Sequence, residues 1–557
     1  MNFYKDDPLI QSILKDSLAP DFFEWADKEL SAFGEKCATV IEERARHTDR
    51  EGQPRLVRYD AYGNEQPYVW VNEGYKQTVK ETYNKGIVGY IHKPIPELSH
   101  KGNYLYSFAQ GYLLSQTEPG FYCPVTLTMA TAYLVEQYGD AELKAKYLPH
   151  ILSTGDDELY EGATFLTEQQ GGSDVGANET RAIYDEEKGS YRLYGLKYFA
   201  SNAGMCGVAA VLARPEGAPA GTKGLSLFLV PWKKGSSDTS GIKVRRLKDK
   251  LGVRAVPSGE VEFEGAEAYM IGEKERGFYY MMEALNLSRI CNAVASVGIM
   301  RRAYTESYSY ASERDAFGRK LMDYPMIQDS LVKMNVKLEA EVRTVFELVK
   351  EFDMWYNDRS SVPEDGMLRL MIALIKAETA EEAIHFSHEA IEMHGGNGYI
   401  EDFVTSRLLR DAQVLTVWEG TANILGLEVL RLFTKFDAGT RFAERMEKEL
   451  SACSDGIEKT ELLQCLSWLQ EEISDLEDMD EAEKTRRIKP LQKKMVSTLE
   501  AVTLLKAAEK SGNERSQKAA QVYVEHFLYP LWGNSQEPWS LQDGLTILSA
   551  KAAVEKG

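Results

Sequence analysis

The run VLTVWEGTANIL, residues 414–425, places one carboxylate, Glu419, among apolar neighbours and directly before Gly420. A lone Glu between hydrophobic residues is most often structural and paired with a cation. The alternative is a general base, because removal from water raises the pKa of a carboxyl group and lets it accept a proton. Gly420 gives the backbone conformational freedom at this point. The run therefore leaves two interpretations open, an ion pair or a base.

Helical periodicity surrounds this run. Residues 290–313, 325–354 and 368–394 carry apolar side chains at a spacing of three to four, which is typical of long helices. The last of these ends at Gly395 and Gly396, where glycine permits a left-handed cap. Long helices with short connections predict an antiparallel bundle. The pattern continues to the end of the chain, rich in Glu, Lys, Leu and Ala, and predicts a further helical unit for packing or oligomerisation.

Short β-rich segments punctuated by Gly and Pro occupy the middle of the chain, as in GEVEFEGAEAYMIG. The first 155 residues are mainly helical in pattern, and RLVRYDAYGNEQPYVWVN interrupts them as a hairpin or loop insertion. The predicted fold class is α+β and mostly α. The four predicted domains are an N-terminal helical domain (1–158), a small β-barrel or β-sandwich of six to eight strands (159–278), the bundle with Glu419 (279–437) and an additional helical domain (438–557).

Composition excludes several classes of protein. No apolar run among the 557 residues approaches the ~18 needed for a membrane span, and the first residues carry no secretory signal pattern. Six scattered cysteines without a CxxC pair indicate reduced thiols and a cytoplasmic protein. The net charge of −21 argues against nucleic acid as a partner. The densest basic patch, KVRRLKDKLGVR at 243–254, is either a solvated hairpin or a site for a phosphate-bearing small ligand.

Two segments of the β region have residues suited to a ring-shaped ligand. ATFLTEQQGGSD, residues 163–174, offers backbone N–H groups and hydroxyls to the polar edge of a flat heterocycle, or is a Gly-rich loop without a ligand. GLKYFASNAG, residues 195–204, places Phe199 before Ser201, which either stack on and bond to a ring or serve as core and strand end. Neither segment has the strand–GxGxxG–helix context of a Rossmann site.

Two segments of the bundle have residues suited to other ligands. SERDAFGRK, residues 312–320, contains Arg314, whose planar guanidinium suits a pyrophosphate, although a surface turn explains the segment equally simply. HFSHEAIEMHGGNGY, residues 385–399, contains two His at i, i+3, but HEXXH spacing is absent and no metal site is predicted. Its Gly-rich end permits a close backbone approach to a ligand.

Taken in order, these segments resemble the acyl-CoA dehydrogenase family over roughly 90–435. LTEQQGGSD is similar to the family's flavin loop, ERDAFG to its Arg-x-x-Phe-Gly motif, MHGGNGY to its Gly-Gly-x-Gly motif, and RDAQVLTVWEGT to the run that ends in the catalytic Glu-Gly-Thr. The extra C-terminal helices resemble a longer branch of the family. That branch includes dehydrogenases for long or unusual acyl groups and the alkylation-response flavoprotein that binds DNA.

The resemblance implies an FAD-dependent acyl-CoA dehydrogenase. Glu419 would take the α-proton of an acyl-CoA thioester, flavin N5 would receive the β-hydride, and the product would be a trans-2-enoyl-CoA. Electrons would pass to an electron-transfer flavoprotein in fatty acid β-oxidation, and the chain would form a homo-oligomer, a dimer or a tetramer. Two alternatives stay open, a DNA-binding protein of the alkylation-response type and an acyl-CoA oxidase.

The resemblance also assigns residues to each ligand. Arg314 and Glu392 would serve a neighbouring subunit's FAD, which requires at least a dimer. The FAD contacts implied are Phe165, Leu166, Thr167, Gly172, Ser173, Phe199, Ala200, Ser201, Arg314, Phe317, Glu392, Gly395, Gly396, Thr421 and Asn423. The substrate contacts implied are Ser173, Asn286, Ser288, Arg289, Trp418 and Gly420. The sequence departs from the family pattern at Gln169 (usually Pro), Phe199 (Trp), Glu392 (Gln) and Pro325 (Gln).

Overall fold

The structure is a computed structural model that describes residues 1–232, 241–360 and 366–532. Its contacts group the chain into two compact units. The first contains the described residues of Met1–Leu331, Val345–Val362 and Ile375–Thr421. The second contains the described residues of Val332–Thr344, Pro363–Leu374 and Ala422–Gly557. The four domain limits given above stay a prediction, and the helical pattern expected over 533–557 lies outside the described residues.

The N-terminal part of the first unit is helical, with one hairpin. Asp7, Asn72, Asn103 and Asp140 begin four of the helices by accepting a backbone N–H bond from the first turn. The hairpin, β1 (Arg55–Tyr59) with β2 (Glu65–Trp70), lies where the sequence predicts an insertion. The helices are α1 (Pro8–Ser17), α2 (Pro20–Lys36), α3 (Glu42–Arg50), α4 (Glu73–Tyr83), α5 (Gly89–His92), α6 (Tyr104–Ser115), α7 (Pro119–Tyr138) and α8 (Ala141–Ile151).

Among its described residues, the central β region has seven strands, within the predicted six to eight. They are β3 (Gly162–Phe165), β4 (Arg181–Asp185), β5 (Ser190–Ser201), β6 (Val208–Pro215), β7 (Ser226–Pro231), β8 (Ile242–Leu247) and β9 (Ser258–Ile271). The pairings run β6–β4–β5–β9–β7 and return to β6, so the sheet closes on itself as a barrel. Phe165, Leu193, Phe228 and Phe263 fill its core. On β9 the expected alternation holds around Phe263, which is buried between the partly exposed Glu262 and the exposed Glu264.

Long helices follow the barrel. The helix α9 (Gly277–Glu313) packs against α6 and α7, and its middle is buried on all sides. A two-residue hairpin, β10 (Asp315–Ala316) with β11 (Arg319–Lys320), follows α9. The remaining helices of this region are α10 (Pro325–Asn357), α11 (Met367–His394), α12 (Gly396–Tyr399) and α13 (Val404–Ala412). The predicted α+β, mostly α fold class is confirmed.

The second unit is helical in its described residues. Its helix α17 packs against α14, α16 and α18. A buried cluster supports it: Lys337 Nζ and the Tyr523 hydroxyl both donate to Glu500 Oε2, at 2.7 and 2.6 Å. Its C-terminal helices are α14 (Ala422–Phe436), α15 (Ala438–Ser451), α16 (Ile457–Glu477), α17 (Glu481–Ser511) and α18 (Glu514–Tyr523).

Two observations concern the described residues of the whole chain. None of the described helices combines the length and the apolar character needed to cross a membrane. All six cysteines are free thiols, and five of them are buried: Cys37, Cys206, Cys291, Cys453 and Cys465. The sixth, Cys123, is partly buried.

Candidate functional site

Glu419 lies in a short turn, residues 417–421, between α13 and α14. Its backbone has φ +60°, in the left-handed region, and Gly420 has φ +108°. A residue other than Gly in this region costs on the order of 1–3 kcal/mol and persists only where the surrounding structure holds it. The turn therefore needs external support.

Two cationic side chains from different helices supply that support. Arg289 of α9 donates from Nε to the Glu419 carbonyl oxygen at 3.0 Å. Lys376 of α11 donates from Nζ to the Gly420 carbonyl oxygen at 2.8 Å. Asn286 orients the guanidinium, because its Oδ1 accepts a hydrogen bond from Arg289 at 3.1 Å. Both carbonyls of the strained peptides are thus held by positive charge.

The carboxyl group of Glu419 has a raised pKa. Burial is the main cause, and the charges of Arg289 and Lys376 oppose it. Burial likewise lowers the pKa of Lys376 to about 7, against the opposing effect of Glu419. The guanidinium of Arg289 bonds to the backbone of Glu419, so this contact leaves the acid oxygens available to a ligand.

Val417, an apolar neighbour of Glu419 in the sequence, is exposed. Its side chain is 58% exposed, while Trp418 is half-buried. Val417 belongs to a turn, where neither the helical nor the strand period tells which side faces the core. The charge of Glu419 raises the pKa values of two thiols, Cys123 and Cys291, in addition to the effect of burial.

Cys123 of α7 lies at the end of the barrel strand β5, where it forms a hydrogen bond with Ser201. Burial raises the pKa of this thiol to about 12, Lys250 lowers it, the charge of Glu419 raises it, and the hydrogen bond with Ser201 lowers it.

The loop after β3, residues 166–174, lies beside β5. The Thr167 carbonyl accepts a bond from Tyr198 N at 2.9 Å, so Thr167 and Phe199 are neighbours. A Cβ at Gly172 would lie 2.6 Å from Thr167 Oγ1, so glycine is needed for this close approach. The Phe199 ring is 55% exposed. Phe165, a predicted FAD contact, is fully buried in the barrel core.

A buried ion pair that the sequence did not reveal holds this loop. Lys197 of β5 donates to Glu168 Oε1 at 2.8 Å, to Leu212 O at 2.8 Å and to Leu166 O at 3.3 Å. Glu168 also accepts bonds from Glu179 N at 2.6 Å and Thr180 N at 3.0 Å. Both charged side chains are almost completely buried. The loop therefore has a fixed position relative to Phe199.

The basic patch at 243–254 is largely paired. Arg246 and Lys248 both bond Glu260, and Arg245 bonds Glu262 across the β8–β9 pair. Lys248 Nζ also lies 3.1 Å from the ring centroid of Tyr198 and 4.7 Å from that of Phe199. The patch is thus part of the β8–β9 strand pair. Its Lys248 contacts Phe199, the aromatic residue that the sequence predicts to stack on a ring.

A second group of predicted residues lies on the surface. Arg314 is exposed, and Phe317, with φ +51°, is 97% exposed. Glu392, Gly395 and Gly396 are also exposed, and a Cβ at either glycine would meet open space. Tyr310 joins the two segments, because its ring lies 4.2 Å from that of His394 and its hydroxyl accepts a bond from Asn397.

The remaining predicted residues are divided between surface and interior. Ser173, Thr421 and Asn423 are exposed, whereas Ala200 and Ser288 are buried and Leu166, Asn286 and Gly420 are intermediate. Asn423 lies on α14 in the second unit. The aromatic side chains Tyr104, Phe108, Tyr112 and Tyr122, which the sequence leaves as pocket lining or core, are all at most 1% exposed.

Comparison with known proteins gives the family. Residues 275–432 match the acyl-CoA dehydrogenase C-terminal domain, 163–266 the acyl-CoA dehydrogenase middle domain, and 1–158 the N-terminal domain of the adaptive response protein AidB. Acyl-CoA dehydrogenase family member 11 of Caenorhabditis elegans is 33% identical over 460 residues, which cover 81% of this chain and 73% of that protein. The chain belongs to the acyl-CoA dehydrogenase family.

A further relative and a solved structure support the place of this acyl-CoA dehydrogenase in the longer branch. The putative acyl-CoA dehydrogenase AidB of Escherichia coli K12 is 31% identical over 419 residues, 74% of this chain and 75% of that one. The structure of Caenorhabditis elegans ACDH-11 in complex with C11-CoA superposes with a TM-score of 0.86 at 28% identity, covering 93% of this chain and 90% of that one.

Members of this family are flavoprotein oxidoreductases that bind FAD. The residues present fit such a cofactor. An exposed Phe199 ring next to the Thr167 loop suits a flat heterocycle, and the open glycines at 395 and 396 suit the close approach of a phosphate-bearing group.

Proposed function

We propose that this acyl-CoA dehydrogenase removes hydrogens from the α and β carbons of an acyl-CoA thioester to give a trans-2-enoyl-CoA, with Glu419 as the base. The observation that carries the proposal is the position of Glu419. Burial raises the pKa of its carboxyl group, and Arg289 and Lys376 hold its turn. A general base needs a pKa closer to the working pH than that of a solvated Glu.

The chain's own residues perform the proton transfer. The ionised Glu419 carboxylate accepts the α-proton, and the backbone N–H of the same residue donates to the thioester carbonyl as negative charge develops there. Arg289 and Lys376 keep the turn fixed, so the carboxylate and the N–H hold their relative positions. FAD, when bound, supplies the acceptor for the β-hydride.

The ligand contacts proposed for this chain follow its geometry. Thr167, Ser173, Phe199 and Ser201 surround the flavin ring, and Lys248 adds a positive charge next to Phe199. Asn286 and Arg289 act on the substrate side through the Glu419 turn. The roles of Leu166, Ala200, Gly172, Ser288, Trp418, Thr421 and Asn423 are proposed from family resemblance.

We also propose that the enzyme works as a homo-oligomer and passes electrons to an electron-transfer flavoprotein. Phe317 is 97% exposed and lies in a strained turn next to Arg314. A large apolar side chain in this position suits a contact with a second copy of the chain. The exposed Gly395–Gly396 segment, joined to the same region through Tyr310, would belong to that contact.

The test is anaerobic bleaching of the purified yellow protein by acyl-CoA thioesters of several lengths, including C11-CoA because ACDH-11 was solved with it. We expect at least one thioester to reduce the flavin, and Glu419→Gln to remove that reduction while retaining FAD. If no thioester bleaches the wild-type protein, the proposed reaction is wrong.

Two additional measurements separate the alternatives. Reoxidation of the reduced flavin by air, faster than by an artificial acceptor, would identify an oxidase. Tight binding of duplex DNA at 150 mM salt, together with absence of bleaching, would identify a protein of the alkylation-response type. The net charge of −21 makes us expect no DNA binding.

A further inference from the structure

Lys376 is a buried cation to which the proposed reaction gives only the role of holding the Glu419 turn. Its residue is 1% exposed within α11, in the apolar run LMIALIKAE. Its hydrogen bond goes to a carbonyl oxygen, that of Gly420, at 2.8 Å. Burying an ammonium group costs several kcal/mol unless neighbouring groups compensate it, so the position demands a compensating interaction.

That interaction is with the Glu419 turn. Lys376 holds the carbonyl of Gly420, and the negative charge of Glu419 is close enough to affect the ammonium. Arg289 holds the preceding carbonyl from a different helix. Two anchors on consecutive carbonyls fix both the position and the rotation of the peptide between them, which one anchor alone does not.

We propose that Lys376 is a positioning residue for Glu419: its bond to the Gly420 carbonyl fixes the left-handed turn, and its charge keeps the Glu419 carboxyl ionised for proton abstraction. This inference rests on the proposed function. It assigns to Lys376 an effect on the protonation of Glu419, beyond that of a structural hydrogen bond. After the carboxyl has accepted the α-proton, the same ammonium no longer has an anion beside it, and its charged form is less stable.

The other titratable groups around Glu419 do not replace this charge. Cys123 of α7 and Cys291 of α9 are neutral thiols, because burial raises the pKa values of both. Lys250, beyond Cys123, donates to Val253 O at 2.8 Å and Val256 O at 2.6 Å. Arg289 is the second cation, and it is charged at every pH at which the protein is folded.

The pKa of Lys376 depends on the charge of Glu419, which supports this proposal. Burial lowers the pKa of Lys376 to about 7, Glu419 raises it, and Arg289 lowers it. The two charges therefore stabilise each other, and their protons come off as those of a pair. A neutral residue at 376 leaves Arg289 alone to oppose the desolvation of Glu419, so the pKa of Glu419 rises further.

The experiment compares the FAD-loaded wild-type protein with Lys376→Met, Lys376→Gln and Lys376→Arg. Rapid-mixing flavin reduction by a thioester active in the panel is measured from pH 5.5 to 9. Lys376→Met and Lys376→Gln both remove the positive charge at 376. In these two variants we expect the acid limb of the rate profile to move to higher pH by about 1 unit or more. Arg should keep the limb in place. Lys28→Met, which removes a surface charge, is the control.

A second readout needs no turnover. The carboxyl stretching band of Glu419, assigned by its loss in Glu419→Gln, is titrated by infrared difference spectroscopy of the FAD-loaded protein without substrate. We expect the same upward shift of its midpoint in the Met and Gln variants. FAD content and thermal melting of each variant show that it is folded, and the Gln variant serves if Met does not fold.

The outcomes distinguish the two proposals. If Glu419→Gln still reduces the flavin at the wild-type rate, the proposed function fails. If Glu419→Gln is inactive but neutral residues at 376 leave both the acid limb and the carboxyl band where they are in the wild-type protein, the role of Lys376 is overturned. A uniform loss of rate at all pH values, with an unmoved band, would also overturn it.

Discussion

At the level of single residues, Glu419 combines a strained backbone with a desolvated acid. The strain at φ +60° and the raised pKa are both unfavourable to the folded state. Such outliers persist at functional positions where the surrounding contacts hold them, as Arg289 and Lys376 do here. An ion pair with a solvated cation would need neither feature, and this supports the proposed role of Glu419 as a base.

The first prediction concerns Glu419→Gln. The amide has the shape of the acid but cannot accept the α-proton, so flavin reduction by a saturated thioester should slow by about 10²- to 10⁴-fold. Rapid-mixing absorbance at the flavin band measures the rate. The melting temperature should stay near that of the wild-type protein. A variant that melts normally and still reduces flavin at more than a tenth of the wild-type rate would contradict the role of Glu419.

The second prediction concerns Glu118, a buried carboxyl at the start of α7. Burial raises its pKa to about 8, Arg407 lowers it, and Asp411 and Asp49 raise it. In the unfolded chain the group titrates near its ordinary 4.5. Between these values the folded state binds the extra proton, so this group's contribution to stability falls as the pH rises from 4.5 to 8.

Glu118→Gln should remove this fall of stability with rising pH. Relative to the wild-type protein, the variant should gain melting temperature between pH 5 and pH 8, because the amide resembles the protonated acid and does not titrate. The difference in the free energy of unfolding between the two proteins should change by at most about 1.4 kcal/mol per pH unit. Thermal melts of both proteins at the two pH values, with FAD in excess, measure the effect. Parallel pH dependences of the two proteins would show that Glu118 is ionised in the folded state.

At the level of elements, the Lys197–Glu168 pair ties the loop at 166–174 to β5. The third prediction is that Lys197→Met leaves the Glu168 carboxylate buried without its cation, which costs about 3–5 kcal/mol. Flavin content per protein should fall as well, because Leu166 O and Glu168 lose the same anchor. Melting temperature and the ratio of flavin to protein absorbance measure both effects.

The matched control is the double variant Lys197→Met with Glu168→Gln. It contains no unpaired charge, so part of the lost stability should return. If the double variant is less stable than Lys197→Met alone, the ion pair is not the cause of the effect. Recovery of stability without recovery of flavin would show that the position of the loop depends on the pair itself.

Periodicity predicted the regular elements well. The segment SYRLYGLKYFAS coincides with β5, and the three long helices were placed within a few residues except at the start of α9, which begins at Gly277. The four-residue strand β3 gave no alternation to read, because it is largely buried on both faces. Its neighbour on β6 is parallel and distant in the chain, and such pairings leave no local signal.

The site was predictable in part. A lone charge in an apolar run marked Glu419, and Lys376 carries the same signal in LMIALIKAE. Glu168, Lys197 and Cys123 have partners that only the fold brings near them. The family motifs indicated which segments form the site. The effects of charged groups on one another depend on distances that only the folded structure provides.

At the level of the whole molecule, the fourth prediction concerns self-association. Phe317 is 97% exposed on the β10–β11 hairpin, in a left-handed turn. A charge introduced into an apolar contact between copies would be buried without a partner. Phe317→Asp should therefore reduce the oligomer to a smaller species in size-exclusion chromatography with light scattering.

Tyr62 provides the matched control. It is 92% exposed near the tip of the β1–β2 hairpin, so Tyr62→Asp changes an aromatic residue of similar exposure on another hairpin. We expect it to leave the molar mass unchanged. An equal effect of both substitutions, or a wild-type protein that is monomeric at micromolar concentration, would contradict a contact at Phe317.

The distribution of the free thiols has a practical consequence. Cys37, Cys123, Cys206 and Cys291 lie in the first compact unit, and Cys453 and Cys465 lie in the second. Buried thiols react with an alkylating reagent only when the surrounding structure opens. Brief isotope-coded alkylation at increasing urea, read out peptide by peptide in a mass spectrometer, would therefore report which unit unfolds first, in the unmodified natural sequence.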